Sequence, residues 1–227
     1  MKRGYKMIKD AVRQCPLSLV NIQGHSYVNN ILPYSTGIEM SIESTPFFDE
    51  SIYKNFKNKP VTRYIGNIME IIKTEFNLID CDIDSNESKF RIKPGIEGMI
   101  SLYNLCEFLK QYAIFNPSDK AGNHYHIDCS EIDSFWEFSS FITLTNNEWA
   151  LDSLKSWNYK GSYNPYRITS RKDGVISFRE RFSTIEFRLG ESSFDYSLII
   201  KRIIHAQNIV KKLKQQYREL DKKAKHS

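Results

Sequence analysis

The sequence predicts an α+β fold: an antiparallel sheet with helices packed on one face, and an open polar face on the other as the site. Three observations carry this. Three stretches far apart in the chain, Ile38–Glu43, His124–Cys129 and Thr184–Leu189, alternate apolar and polar residues with the period of a strand. Between them, apolar residues recur at spacings of three and four, as in helices that bury one stripe. Strands with one apolar and one polar face belong to antiparallel sheets covered on a single side.

Taken in order, residues 1–35 read as an N-terminal appendage, with a helical stretch over Met7–Cys15 stopped near Pro16 and a loop over Gly24–Pro33. The strand Ile38–Ile42 follows, and Pro46 ends it. Pro60 takes a favoured first-turn position for a helix whose stripe is Val61, Tyr64, Ile65, Ile68, Met69, Ile72 and Phe76. Asp80–Ser88 reads as a turn between strands, and Phe90–Ile92 as a short strand ending at Pro94-Gly95. Ile100, Tyr103, Leu105, Cys106, Leu109 and Tyr112 mark a second helix, and the histidine strand comes next. Ser134–Leu154 carries two helices broken at Asn146-Asn147, and Tyr159–Arg171 reads as a Gly/Asn/Pro loop. Val175–Phe178 and Ser183–Leu189 are strands. From about Asp195 one long helix buries Ile199, Ile203, Ala206, Val210, Leu213, Tyr217 and Leu220. The chain thus divides into the appendage 1–35, a domain over 36–212, and a basic helix end or tail over 213–227.

An apolar fraction of 41% with 13% aromatics suffices for a core and excludes a disordered chain. The net charge of +5 is unevenly placed: Lys201–Ser227 holds nine Lys and Arg against Glu219 and Asp221, an excess of seven. The rest is slightly acidic, which argues against nucleic acid as a partner of the body. Only Lys211–Lys225 would contact nucleic acid, and such runs are ordinarily solvated. Cys15, Cys81, Cys106 and Cys129 form no Cys-x-x-Cys and read as reduced thiols of a cytoplasmic protein. No apolar run approaches the ~20 residues of a membrane span, and the N-terminus lacks the apolar core of a signal peptide.

The polar strand faces carry Glu39, Ser41 and Glu43; His124, His126 and Asp128; and Glu186 and Arg188. Carboxylates and imidazole hold Mg²⁺ or Mn²⁺, and a guanidinium fork matches phosphate oxygens. Any one of these faces is also what a solvated strand looks like. Their combination on three strands points to a site that handles a metal and a phosphate together. Arg167, Arg171, Arg179 and Arg181 crowd ahead of the last strand, where they would hold a phosphate or a carboxylate, or form a solvated basic hairpin. Tyr163 and Tyr166 in the preceding loop are placed to cover a ligand.

On these residues the chain resembles the amidoligase group of the glutamine-synthetase and glutamate–cysteine-ligase superfamily. The counterparts of that group's strands are Gly37-Ile38-Glu39-Met40-Ser41, Arg91-Ile92-Lys93-Pro94-Gly95, Gly122-Asn123-His124-Tyr125-His126 and Thr184-Ile185-Glu186-Phe187-Arg188, in matching order over about 36–212. The resemblance implies a glutamine-synthetase-like catalytic domain using ATP and Mg²⁺ (or Mn²⁺). It implies that a small-molecule or peptide carboxylate is phosphorylated and then attacked by an amine. Glu39, His124 and Glu186 would hold a metal ion, His126 would approach the nucleotide phosphates, and Arg188 would neutralise the transferred phosphoryl group. Of the arginines ahead of this strand, Arg179 joins Arg188 as a catalytic candidate and Arg181 joins His126 as a nucleotide-binding one. A homo-oligomer is compatible with this reading.

Two positions depart from the group's pattern. Ser41 stands where it carries a second Glu, and Arg91 where it carries another in the short strand before the Pro turn. Both missing carboxylates would belong to a second metal ion, which a cation opposes. Either Glu43, Glu87 or Asp128 takes over, or the chain has lost ligase activity and serves as a binding or structural component.

Overall fold

A computed structural model describes residues 32–44, 69–83, 87–112, 114–115, 122–145, 147–157, 164–169, 174–188 and 192–226. The predicted appendage up to residue 31, the first two turns of the Pro60 helix, Arg171 and Tyr163 lie outside the described residues, as do the side chains of Ser41, Glu43, Glu87, Tyr166 and Arg167.

Eight strands form an open sheet: β1 (Thr36–Ser44), β2 (Asp80–Ile83), β3 (Glu87–Ile92), β4 (Ile114–Phe115), β5 (His124–Asp128), β6 (Asn164–Thr169), β7 (Gly174–Arg179) and β8 (Thr184–Phe187). Their order is β2-β3-β1-β5-β8-β7-β6, with β4 paired to the end of β1. Every pairing is antiparallel except β6 with β7. The helices are α1 (69–75), α2 (Gly95–Tyr112), α3 (Phe135–Leu144), α4 (Glu148–Leu154) and α5 (Tyr196–His226). The fold is therefore mixed α+β with a mostly antiparallel open sheet.

Three local expectations are corrected. The stretch read as a Gly/Asn/Pro loop contains β6, and that strand runs parallel to β7. Pro165 lowers strand propensity there, and what decides the segment is its place beside β7 at the sheet edge. The acidic stretch read as a turn begins instead with β2, which carries Asp80 and Asp82 opposite Arg91 and Lys89. Leu220 is 47% exposed, because it lines an open groove with Phe141 and Trp149 instead of packing into the core. The rest of its predicted stripe, Ile199, Ile203, Ala206, Val210 and Leu213, is buried, and Tyr217 is partly so.

Strand alternation sorts the sheet into two faces. One carries Ile38, Phe90, Tyr125, Ile127, Ile185, Phe187, Ile176 and Phe178, all buried. Each such side chain contributes about 1.5–3 kcal/mol on leaving water. The helices cover this face, with contacts from α2 to β3, from α5 to β5, and from α3 and α4 to β6. Tyr125 and Phe187 both pack on Trp157, at ring centroid distances of 5.8 and 6.3 Å.

Helix α5 fixes the strands from behind. The Gln207 amide donates to the Tyr34 carbonyl (2.7 Å) and to Thr36 Oγ1 (2.8 Å) and accepts from Tyr34 N–H (3.4 Å), so it clamps the start of β1. Lys214 is only 1% exposed; its ammonium donates to the Asp128 carbonyl (3.0 Å) and to Glu131 (2.6 Å), and lies 3.6 Å from the Tyr34 ring centre. Residues 213 and 214 thus belong to the packed body, and α5 runs unbroken from Tyr196 to His226.

Candidate metal centre

The other face of the sheet is polar, and its register explains which residues meet. Asp80, Arg91, Gly37, His126, Glu186 and Ser177 form one row across six strands. Asp82, Lys89, Glu39 and His124 form the next. Three residues sought from sequence, Glu39, His124 and Glu186, therefore come from adjacent strands β1, β5 and β8 onto one point. A ligand atom from each lies within 4.8 Å of the others. Gly37 leaves room here: a Cβ on it would come 3.3 Å from Cβ of its cross-strand neighbour His126.

His124 Nδ1 lies 3.2 Å from Glu39 Oε2 and 3.4 Å from Glu186 Oε1. His126 Nε2 lies 3.2 Å from Glu39 Oε1 and 3.7 Å from Glu186 Oε1. That nitrogen is buried and not aligned for a hydrogen bond with either carboxylate. Lys89 on β3 approaches Glu39 at 3.6 Å. Burial alone would raise the Glu39 pKa, but the hydrogen bond with His124 and the charge of the two imidazoles hold it well below the usual carboxylate range.

Glu186 is fully buried. Its Oε2 accepts from Ser177 Oγ (2.8 Å) and is ion-paired with Arg179; its Oε1 accepts from Arg188 Nη1 at 3.0 Å. Burial would raise its pKa, and the positive charges around it, from His126, Arg188 and Arg179, outweigh burial and lower it. Arg179 and Arg188, sought as catalytic cations, are thus brought to the cluster, but turned onto Glu186. Sequence reasoning missed Ser177 and Lys89. Ser177 was readable only as the cross-strand partner of Glu186, a fact of register.

Arg181 is not brought in. It lies exposed on the single turn Glu180–Phe182, with its guanidinium 5.6 Å from the Phe182 ring centre. No family model matches the chain, and no curated protein matches it. Glu39, His124 and Glu186 are therefore weighed on their geometry.

Asp128, one of the three acids able to replace the missing carboxylates, is already engaged. Its Oδ2 accepts from Arg91 Nη2 (3.0 Å) and Ser35 Oγ (2.9 Å), and its Oδ1 from Ser130 N–H (2.9 Å). Burial would raise its pKa, but these hydrogen bonds and Arg91 lower it. Asp128→Ala should cost about 1 kcal/mol in urea unfolding, the scale of a partly exposed ion pair with its hydrogen bonds. Mn²⁺ binding measured by calorimetry should not change, since the Asp128 oxygens serve Arg91, Ser35 and Ser130.

A groove of about 350 Å³ opens beside the cluster, over Glu39, His126, Lys89, Arg91, Asp80 and Phe182. Two carboxylates and an imidazole at this spacing fit a divalent ion such as Mn²⁺ or Mg²⁺, and His126 Nε2 lies beside the same two carboxylates. Among the described residues no helix is long and apolar enough to cross a membrane.

Proposed function

We propose that this chain is an ATP-dependent carboxylate–amine ligase with a glutamine-synthetase-like fold, of the amidoligase kind its motifs resemble. The convergence of Glu39, His124 and Glu186 from three adjacent strands, with two arginines alongside, is the observation that supports it. In this reading Glu39, His124 and Glu186 hold Mg²⁺ or Mn²⁺, which would neutralise phosphate oxygens of ATP. Arg188 and Arg179 stabilise the charge of the γ-phosphoryl group as it passes to a carboxylate oxygen and ADP leaves. The amine nitrogen then attacks the acyl carbon, phosphate departs, and the amine loses a proton to give the amide. His126, on the wall between cluster and groove, orients the ligand through its ring nitrogen.

The test is ADP release with ATP, Mn²⁺ or Mg²⁺ and a panel of amino acids and short peptides. Glu39→Ala and His124→Ala should each lower turnover by ~10²-fold or more. Unchanged turnover in both would sink the assignment.

A second reading, a non-catalytic descendant acting as a binding or structural component, is favoured by one observation. Arg91 occupies the flank of the site and is locked to Asp128. That reading expects no binding of Mg·ATP in calorimetry.

A further inference from the structure

We infer that the divalent ion and an anionic phosphate ligand bind this site cooperatively, each weakly without the other. This presupposes the metal reading above, and the reason is charge. The cluster's two carboxylates, Glu39 and Glu186, already face three fixed cations: Arg179, Arg188 and Lys89. Counted over these described side chains alone, two carboxylates against three cations, the cluster is positive before any metal enters. Glu186 Oε1, the Glu186 oxygen that approaches both imidazoles, is also the one that holds Arg188. A divalent ion there must share its ligand atom with a guanidinium, and the two cations repel across a fully buried carboxylate.

An oxyanion removes this conflict. Bound between the ion and the arginines, it takes Arg188 and Arg179 as donors and leaves Glu186 Oε1 to the metal. Both guanidiniums have the fork geometry that phosphate oxygens match. The carboxylate is therefore the element that both ligands bias: arginines without ligand, metal with it. Linkage makes the effect reciprocal, so phosphate should bind more tightly when metal is present, by the same factor.

Mn²⁺ binding to the full chain, followed by electron paramagnetic resonance, tests this with and without inorganic phosphate, which chelates free Mn²⁺ only weakly. The expected result is an apparent Mn²⁺ affinity at least ~10-fold higher with phosphate. Arg188→Gln should bind Mn²⁺ alone more tightly than the wild type and lose most of the phosphate effect. Arg179→Gln, at the less buried arginine, should do the same in smaller measure, and circular dichroism checks that both fold. Equal Mn²⁺ affinity with and without phosphate in the wild type overturns the coupling and leaves the metal site standing. No Mn²⁺ binding in any arm, variants included, overturns the metal reading itself.

Discussion

Glu186→Ala is expected to destabilise the protein by about 3–5 kcal/mol, the cost of removing one partner from a buried ion pair. The midpoint of urea unfolding, followed by the fluorescence of buried Trp157, reads it. Glu186 is 0% exposed and is the ion-pair partner of both Arg179 and Arg188, the latter only 9% exposed. Deleting the carboxylate removes the ion-pair partner that Arg179 and Arg188 share, and leaves Ser177 Oγ without its acceptor. Glu186→Gln keeps the shape and an acceptor oxygen, so it should cost less. If both variants unfold like the wild type, the carboxylate is not what neutralises this face.

The pH dependence follows with a definite sign. The folded-state pKa values of Glu186 and Glu39 both lie below their ordinary values. Their contribution is therefore fully present above the unfolded carboxylate pKa of ~4.3, and is lost as pH falls below it towards the folded values. Stability measured down that range should fall steeply in the wild type and less steeply in Glu186→Ala.

What the sequence made legible here was alternation. Glu39, His124, His126, Glu186 and Arg188 could be placed on strand faces because period two is local. Which strands lie side by side, and in what register, is not local. The meeting of Ser177 with Glu186, of Lys89 with Glu39, and of Arg91 with Asp128 depends on strand pairings whose members lie from nine residues (Ser177 and Glu186) to 91 residues (Thr36 and Ile127) apart in the chain. The same limit hid β6, whose strand character comes from β7 rather than from its own composition. It also hid the orientation of Arg179, a catalytic candidate drawn from a crowd of arginines that a solvated basic hairpin would explain equally well. The side chain belongs to the cluster because its strand neighbours the one that carries Glu186, placing Ser177 and Arg179 on the polar face.

Gly98→Ala should also cost about 3 kcal/mol, the upper end of what overpacking does. Helix propensity argues the other way: alanine is favoured over glycine inside a helix by roughly 0.5–1 kcal/mol. Packing decides, because Gly98 lies in the first turn of α2 directly against the chain that leaves β3. A Cβ there would come 1.8 Å from the Lys93 carbonyl oxygen and 2.9 Å from its carbon. Both are backbone atoms, so no rotamer change relieves the contact, and either α2 or the end of β3 must shift. That end is held from both sides: Gly95 N–H donates to the Leu32 carbonyl (2.8 Å), and Lys93 Nζ bridges Asn77 (2.9 Å) and Glu97 (3.2 Å). Lys93 follows Arg91 by two residues, so movement there passes along β3 to Arg91 and Lys89 on the site face. The variant should therefore lower both the thermal midpoint and, in the folded fraction, the affinity for Mn²⁺ with phosphate. A thermal midpoint equal to or above that of the wild type would mean that α2 does not approach β3 this closely.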